Sequence, residues 1–139
     1  MSVFILDASV ATRLFILVPG HEQAAAAVEA HEFIAPRLIL TETANALWKY
    51  VRRGDTSLAQ AQDAIRELNR QLSIVDDFRL IILAQRLAAE LDHPVYDCVY
   101  LATAQSYQYP LLTADKRLAT LARQLSLDVV DLASIPIDG

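Results

Sequence analysis

Short apolar segments that alternate with helical patterns constrain the fold of this chain more than any other feature of its sequence. The first is Val3–Leu6, a run of β-forming residues followed directly by Asp7 and by a helical pattern over residues 8–17. We predict further strands at residues 33–35, 73–75, 111–113 and 129–132, and further helices at residues 21–31, about 37–53, about 58–72, about 78–93, 95–107 and 116–125. Strands that alternate with helices indicate an α/β fold with a mostly parallel central sheet.

Length and composition indicate a chain that folds without covalent or metal support. It has 139 residues, 54% of them hydrophobic, and only three glycines, so we expect one compact domain over residues 1–139 with surplus apolar surface for a partner. The single cysteine, Cys98, cannot form an internal disulfide, and this fits a reducing cytoplasm. No apolar run approaches the ~18 residues of a membrane span, so we expect neither export nor membrane insertion.

Two aspartates follow predicted strands directly. Asp7 comes after the first strand, and Asp115 comes after the segment Leu111–Thr113 and Ala114. Each is explained as an N-cap of the helix that follows it, but each also lies where ligands of open parallel sheets bind. Ser9 could cap the first helix equally well, and Thr113 could donate a hydrogen bond to a carboxylate or a bound water.

Two further acids lie within helical patterns. Glu42 is in the middle of its helix beside apolar positions, where capping cannot explain it, and Asn45 lies one turn later. Asp97 is the only charged residue between Pro94 and Ala114, so we expect it to be buried. A buried carboxylate must meet a cation, a metal or hydrogen-bond donors, or become protonated, and we favour a metal ligand.

Taken together, the four acids predict a metal site for phosphodiester hydrolysis. Carboxylates close to one another need cations between them, and oxygen ligands without His or Cys suit Mg²⁺ or Mn²⁺. Bound metal ions would also reverse the local charge of a chain whose net charge of −5 otherwise disfavours nucleic acid.

The chain resembles a known family in four ordered segments. DAS near the start, TETANAL in the first helix of the central pair, PVYDCVYLATA, and PLLTADKRL near the end are similar to motifs of PIN-domain ribonucleases, especially VapC-type toxins of bacterial toxin–antitoxin modules. The resemblance covers essentially the whole chain and implies a three-layer α/β/α sandwich. It also implies that Asp7, Glu42, Asp97 and Asp115 bind Mg²⁺ or Mn²⁺, with supporting polar residues at Ser9, Asn45 and Thr113.

The resemblance implies partners as well. We expect endonucleolytic cleavage of structured RNA of the tRNA or rRNA class, a homodimer, and inhibition by a VapB-type antitoxin. The apolar residues proposed for the antitoxin groove are Leu40, Leu47, Trp48 and Leu58. Two basic groups are candidates for attracting RNA: Lys49, Arg52 and Arg53, and Lys116, Arg117 and Arg123.

Some features are assigned ordinary structural roles, and two other functions remain open. The histidines His21, His31 and His93 are expected at the surface at helix ends, and Tyr100 is expected to be a core or interface aromatic. One alternative function is a non-catalytic PIN-like module that binds RNA or protein. The other is an aspartyl-phosphate phosphohydrolase, which is disfavoured because Ser9 replaces the second Asp of a DxD motif and Glu42 would have no role.

Overall fold

The computed structural model describes residues 2–137, which form a five-stranded sheet surrounded by helices. The strands are β1 (Val3–Leu6), β2 (Glu32–Pro36), β3 (Ser73–Val75), β4 (Leu111–Thr113) and β5 (Val129–Asp131). The helices are α1 (Ala8–Arg13), α2 (His21–Ala30), α3 (Leu38–Arg53), α4 (Leu58–Gln71), α5 (Phe78–Leu91), α6 (Val95–Tyr107) and α7 (Lys116–Gln124), and a 3₁₀ turn follows at Leu132–Ser134. None of the helices in this part of the chain is long and apolar enough to cross a bilayer.

The sheet has the strand order β3-β2-β1-β4-β5, and every neighbouring pair is parallel. This confirms the predicted parallel sheet and the three-layer α/β/α architecture. The chain runs from β1 towards one edge through β2 and β3, and β4 then returns to the other side of β1. The order of strands therefore reverses between β1 and β4, and ligands of such sheets bind at the carboxyl ends of the strands at this point.

Local sequence signals explain where the central helix pair begins and ends. Gly54 follows α3 with φ 84°, a left-handed conformation that glycine adopts without a side-chain clash. The Ser57 hydroxyl accepts the Gln60 backbone N–H, and the Gln60 side chain accepts the Ser57 backbone N–H, which forms a capping box at the start of α4.

Helix α1 is shorter than the apolar pattern predicts. It ends at Arg13, and the predicted helix over residues 8–17 is wrong beyond that residue. The reason is tertiary packing: Phe15 and Ile16 turn away from the helix axis and pack against a small cluster of Leu47, Ala61 and Ala64 between α3 and α4. The burial of these side chains outweighs the weak propensity to continue the helix.

The main core lies on both faces of the two central strands. Ile5, Leu6, Leu111 and Leu112 are completely buried, and α6 packs against β1, β2 and β4. A continuous apolar run is typical of a parallel strand covered on both faces. The first polar side chains after these runs therefore emerge together at the carboxyl edge of the sheet.

Candidate active site

Asp7 lies at the carboxyl end of β1, beside the end of β4. Leu6 pairs with Leu112 in parallel register, so Asp7 and Thr113 leave the sheet side by side. The Thr113 hydroxyl donates to Asp7 Oδ2 over 2.8 Å, and the Ser9 hydroxyl donates to Asp7 Oδ1 over 2.7 Å. The Val10 backbone N–H also donates to Oδ1, so Asp7 caps α1 as well.

The burial of Asp7 makes its charge costly. Its side chain is only 4% exposed, and burial raises its pKa from 3.8 to about 6. Hydrogen bonds from Ser9, Thr113 and Val10 oppose this rise, whereas the negative charge of Asp115 adds to it. Within residues 2–137 no Lys, Arg or His contacts this carboxylate. A cation would therefore be stabilised here.

Asp115 serves as the N-cap of α7, as expected from its position after β4. Its Oδ1 accepts the backbone N–H groups of Arg117 and Leu118. Its own N–H donates to the Thr113 hydroxyl over 3.0 Å, and so Thr113 connects Asp115 to Asp7. The second oxygen of the Asp115 carboxylate accepts no hydrogen bond within residues 2–137.

Glu42 reaches the same region from α3. It is half-buried, and its Oε1 accepts the Tyr100 hydroxyl over 2.6 Å. Burial raises the Glu42 pKa, the hydrogen bond from Tyr100 lowers it, and the negative charge of Asp97 raises it. Glu42 and Asp97 are thus close enough to interact electrostatically, as are Asp7 and Asp115.

The exposure and the contacts of Asp97 differ from those predicted from the sequence. Its side chain is 35% exposed, so it is not deeply buried, and it is not unpaired: Oδ2 lies 2.7 Å from His93 Nε2. The expectation of a surface His93 is wrong, because its side chain is only 4% exposed. The His93–Asp97 spacing of four residues was the visible signal, but the break between α5 and α6 at Pro94 concealed it.

Sequence reasoning also missed the role of Tyr100. The residue is 1% exposed, as expected for a core aromatic, yet its hydroxyl points at Glu42. The pKa of Tyr100 is raised far above its usual range, first by burial and then by Glu42, with further contributions from the charges of Asp7 and Asp97. Three of the four acids therefore surround one neutral phenol. Its position three residues after Asp97, on the same helix face, was the available signal.

The four acids are not preorganised as the ligands of one metal ion. Among residues 2–137, no three His, Cys, Asp or Glu side chains are arranged as ligands of one metal ion. Asn45 is exposed, and its side chain makes no hydrogen bond within the described part of the chain. Its supporting role, holding a ligand or a water beside Glu42, stays a prediction. The acids instead interact electrostatically in two pairs, Asp7 with Asp115 and Glu42 with Asp97, and one member of the first pair and both of the second also act on Tyr100.

The apolar groove on the helix pair is partly as expected. Trp48 is 49% exposed and Leu58 is 61% exposed, and they line a groove of about 370 Å³ with Val51 and Ile65. Leu47, however, is 1% exposed and belongs to the core cluster with Ala61 and Ala64. Its assignment to the groove is wrong, because it lies on the inward face of α3.

Comparison with known proteins agrees with this fold. The sequence profile of the PIN domain matches residues 4–124. Ribonuclease VapC3 of Pyrobaculum aerophilum is 34% identical over 119 residues, which cover 83% of this chain and 91% of that protein.

Solved structures share the fold at lower identity. PAE2754 of Pyrobaculum aerophilum superimposes with a TM-score of 0.76 at 22% identity, over 96% of this chain and 91% of that one. VapC20 of Mycobacterium tuberculosis, described as a sarcin–ricin loop cleaving toxin, has a TM-score of 0.70 at 16% identity, over 86% of this chain and 94% of that one. DNA-bound VapBC of Salmonella typhimurium has a TM-score of 0.65 at 18% identity, over 95% of this chain and 99% of that one. The matching profile and the VapC3 relative show that this chain belongs to the PIN domain family.

Proposed function

We propose that this protein is a metal-dependent endoribonuclease and the toxin component of a type II toxin–antitoxin module, formed by a single domain over residues 1–139. One observation carries the proposal. Asp7, a buried carboxylate with no basic partner among residues 2–137, lies at the point where the strand order reverses. The charge of Asp115 acts on Asp7, and the charges of Glu42 and Asp97 act together with that of Asp7 on Tyr100. The relationship to ribonuclease VapC3 supports hydrolysis of RNA over other phosphodiesters.

The donor set fits a hard divalent cation. Asp7, Glu42, Asp97 and Asp115 supply only carboxylate oxygens, which suit Mg²⁺ or Mn²⁺. When bound, such an ion lowers the pKa of a bound water and neutralises charge on the phosphodiester. No three acids among residues 2–137 are preassembled as ligands of one ion, so we expect small side-chain rotations within the two acid pairs to complete the ligand set. Asp97 and Glu42, both partly exposed, have the freedom to make them.

The protein's own residues prepare the site for this chemistry. Ser9 and Thr113 orient the Asp7 carboxylate from both sides, and Tyr100 holds one oxygen of Glu42 so that the other is free. His93 does the same for Asp97. Hydrogen-bonded carboxylates lose less conformational freedom when they bind a cation, and such supporting partners commonly raise metal affinity.

Structured RNA, of the tRNA or rRNA class, is the proposed substrate. VapC20, which shares the fold, is described as cleaving the sarcin–ricin loop. The site here lies at an open edge of the sheet and is not enclosed, since Asp97 and Asp115 both retain solvent exposure. An open site accommodates a folded RNA better than a closed pocket would.

A VapB-type antitoxin is the proposed inhibitor, and the groove beside Trp48 is its proposed docking surface. Structures that share the fold include VapBC complexes. Trp48, Leu58 and Ile65 present an apolar surface on α3 and α4 that is suited to the apolar side chains of a short segment. Trp48 would anchor the contact, since half-exposed tryptophans dominate many interfaces.

A homodimer is proposed to form through α5. Phe78, Ile81 and Ile82 occupy one face of that helix and are 71%, 54% and 54% exposed. Large apolar side chains three and four residues apart form a continuous patch, which is typical of a protein interface. Sedimentation of wild type beside Ile81→Glu/Ile82→Glu tests this: a dimer that persists in the variant would exclude this face.

The nuclease proposal is tested by purifying wild type and Asp7→Asn free of antitoxin and incubating each with total RNA. Parallel reactions contain Mg²⁺, Mn²⁺ or a chelator. We expect cleavage by wild type alone, and only with metal. Cleavage that survives in both Asp7→Asn and chelator would point to a contaminating nuclease and contradict the proposal.

A non-catalytic binding module is the second candidate, because the acids do not form a finished metal cage. Asp97→Asn distinguishes the two functions. A module would keep its growth phenotype and its RNA or protein binding in this variant, whereas a nuclease would lose cleavage and toxicity.

A further inference from the structure

The cationic side chains of this acidic protein fall into two classes. Six of its twelve Lys and Arg residues form ion pairs with Asp or Glu: Arg53, Arg66, Arg70, Arg79, Arg86 and Arg123. The other six have no carboxylate partner within residues 2–137: Arg13, Arg37, Lys49, Arg52, Lys116 and Arg117. In a chain with a net charge of −5, cations left without acids at one place indicate an anionic ligand there.

Four of these six cations line two clefts. The first cleft, of about 470 Å³, lies between α1 and α3 and is lined by Arg13, Lys49 and Arg52 with no acidic residue. The second, of about 690 Å³, lies between the start of α2 and α7 and is lined by Arg13 and Lys116. Its one acid, Asp131, is already paired with Arg123.

The two clefts share Arg13, which lines both of them. Ser9 lines the first cleft and Thr113 lines the second, and these are the two hydroxyls that donate to Asp7. A strand that followed the clefts would therefore pass the two side chains that hold the Asp7 carboxylate.

Arg13 is held in place without being neutralised. Its Nη1 donates to the Ser9 carbonyl over 2.8 Å, and its Nε donates to the Pro19 carbonyl over 3.0 Å. Gly20, with φ +100°, makes room for it, since a Cβ at that position would lie 2.8 Å from Arg13 Cδ. Backbone carbonyls fix the guanidinium but leave its positive charge available to a phosphate.

We propose, on the basis of the nuclease function above, that the RNA backbone runs along the α1–α3 cleft, crosses Asp7 beside Arg13 and continues along the α2–α7 cleft. Lys49 and Arg52 bind phosphates on one side of the scissile bond, and Lys116 binds one on the other. These cations offset the repulsion between RNA and the four acids, which an acidic chain must overcome locally.

The test measures how salt weakens binding. Asp7→Asn protein, in chelator, is titrated with a short fluorescein-labelled single-stranded RNA at several KCl concentrations. The slope of log K against log salt is negative, and for single strands each lost phosphate contact makes it less steep by about 0.7. Lys49→Gln/Arg52→Gln is therefore expected to reduce its magnitude by about 1.4, and Lys116→Gln by about 0.7. The matched control is Arg66→Gln/Arg70→Gln, which changes net charge equally on paired side chains of α4.

Two outcomes would overturn the proposed RNA track, which is the path along the α1–α3 and α2–α7 clefts. One is an equal change of slope in the control and in Lys49→Gln/Arg52→Gln, which would show a net-charge effect only. The other is tight binding of polyglutamate with no binding of RNA, which would indicate an acidic protein partner.

Cleavage by the same variants with Asp7 intact, measured in Mg²⁺, separates this proposal from the nuclease proposal. If wild type cuts RNA but the variants have the same salt dependence as wild type, the proposed RNA track is contradicted and the nuclease proposal is supported. If the slopes become less steep as expected but wild type cuts no RNA, the proposed RNA track is supported and the nuclease proposal is contradicted.

Discussion

Replacing Asp7 by Asn is expected to stabilise the metal-free protein. The folded state raises the Asp7 pKa from 3.8 to about 6, so it binds the proton more tightly than the unfolded chain does. The stability from this group is fully present below pH 3.8 and is lost as pH rises through about 6. At ~1.4 kcal/mol for each tenfold change in proton affinity, the ionised carboxylate costs about 3 kcal/mol at pH 7.5.

The Asn side chain removes this cost while keeping the contacts. Its oxygen still accepts from Ser9 and Val10, and its amide donates to the Thr113 hydroxyl, which reverses one hydrogen bond. We therefore expect Asp7→Asn to be more stable than wild type by up to about 3 kcal/mol at pH 7.5, or on the order of 10 °C in Tm. The difference should shrink towards zero as pH falls below 4.

Urea unfolding of both proteins in chelator, at steps from pH 4 to pH 8, measures this difference directly. Other titrating groups affect both proteins alike, so the difference curve isolates Asp7 and the groups coupled to it. Asp128→Asn removes the same charge at an exposed position and should change stability by no more than about 0.5 kcal/mol. In saturating Mn²⁺ the stability difference between the two proteins should shrink or change sign. Only wild type gains binding free energy, about 2.7 kcal/mol when the Mn²⁺ concentration is a hundred times Kd.

A contrary result would be Asp7→Asn that is equally or less stable than wild type at pH 7.5, with no trend across the pH range. The three hydrogen bonds would then already compensate the burial of the charge, and Asp7 would not require a cation.

Three further predictions follow from individual contacts. Tyr100→Phe should lose about 2 kcal/mol of stability, because a buried hydrogen bond to Glu42 disappears without a cavity, and should weaken Mn²⁺ binding in calorimetry; unchanged Mn²⁺ affinity would limit Tyr100 to a structural role. His93→Leu removes the hydrogen-bond donor to Asp97 and should lower metal affinity or cleavage roughly 10–100-fold. His93→Gln should recover part of the lost affinity or cleavage, and an equal loss in both variants would contradict a positioning role of this hydrogen bond. Gly54→Ala should lower the free energy of unfolding in urea by about 1 kcal/mol, because φ at this position is 84°. No atom lies within 4 Å of the new Cβ, so a steric clash would not contribute. An unchanged free energy of unfolding would show that the end of α3 relaxes.

Much of the fold could be predicted because its signals are local. The bounds of β1, β3, β4 and α6 agree with the expected ones, since apolar runs, proline and capping residues mark them in the sequence itself. The main error was the length of α1, where the apolar residues Phe15 and Ile16 pack on the helix pair instead of extending the helix. Periodicity cannot distinguish these two uses of an apolar side chain.

The candidate site was predicted less completely than the fold. Asp7 and Asp115 could be proposed because each comes after an apolar strand segment, and Thr113 makes a hydrogen bond to a carboxylate as expected from the sequence. The hydrogen bond from Ser9 to Asp7 was not foreseen, because Ser9 was expected only as a possible cap or supporting residue. The supporting role of Asn45 stays a prediction.

The order of the elements and the acids at strand ends could be read from the sequence, because each depends on a few neighbouring residues. The parallel sheet could be inferred from the alternation of strands and helices. Which side chains meet depends on the folded chain: Thr113 contacts Asp7 across 106 residues, and Tyr100 contacts Glu42 across 58. The tertiary structure also determines that His93 is buried and which cations are left without an acidic partner. Such contacts depend on strand register and helix packing, and no local pattern encodes the distance between residues that are remote in the chain.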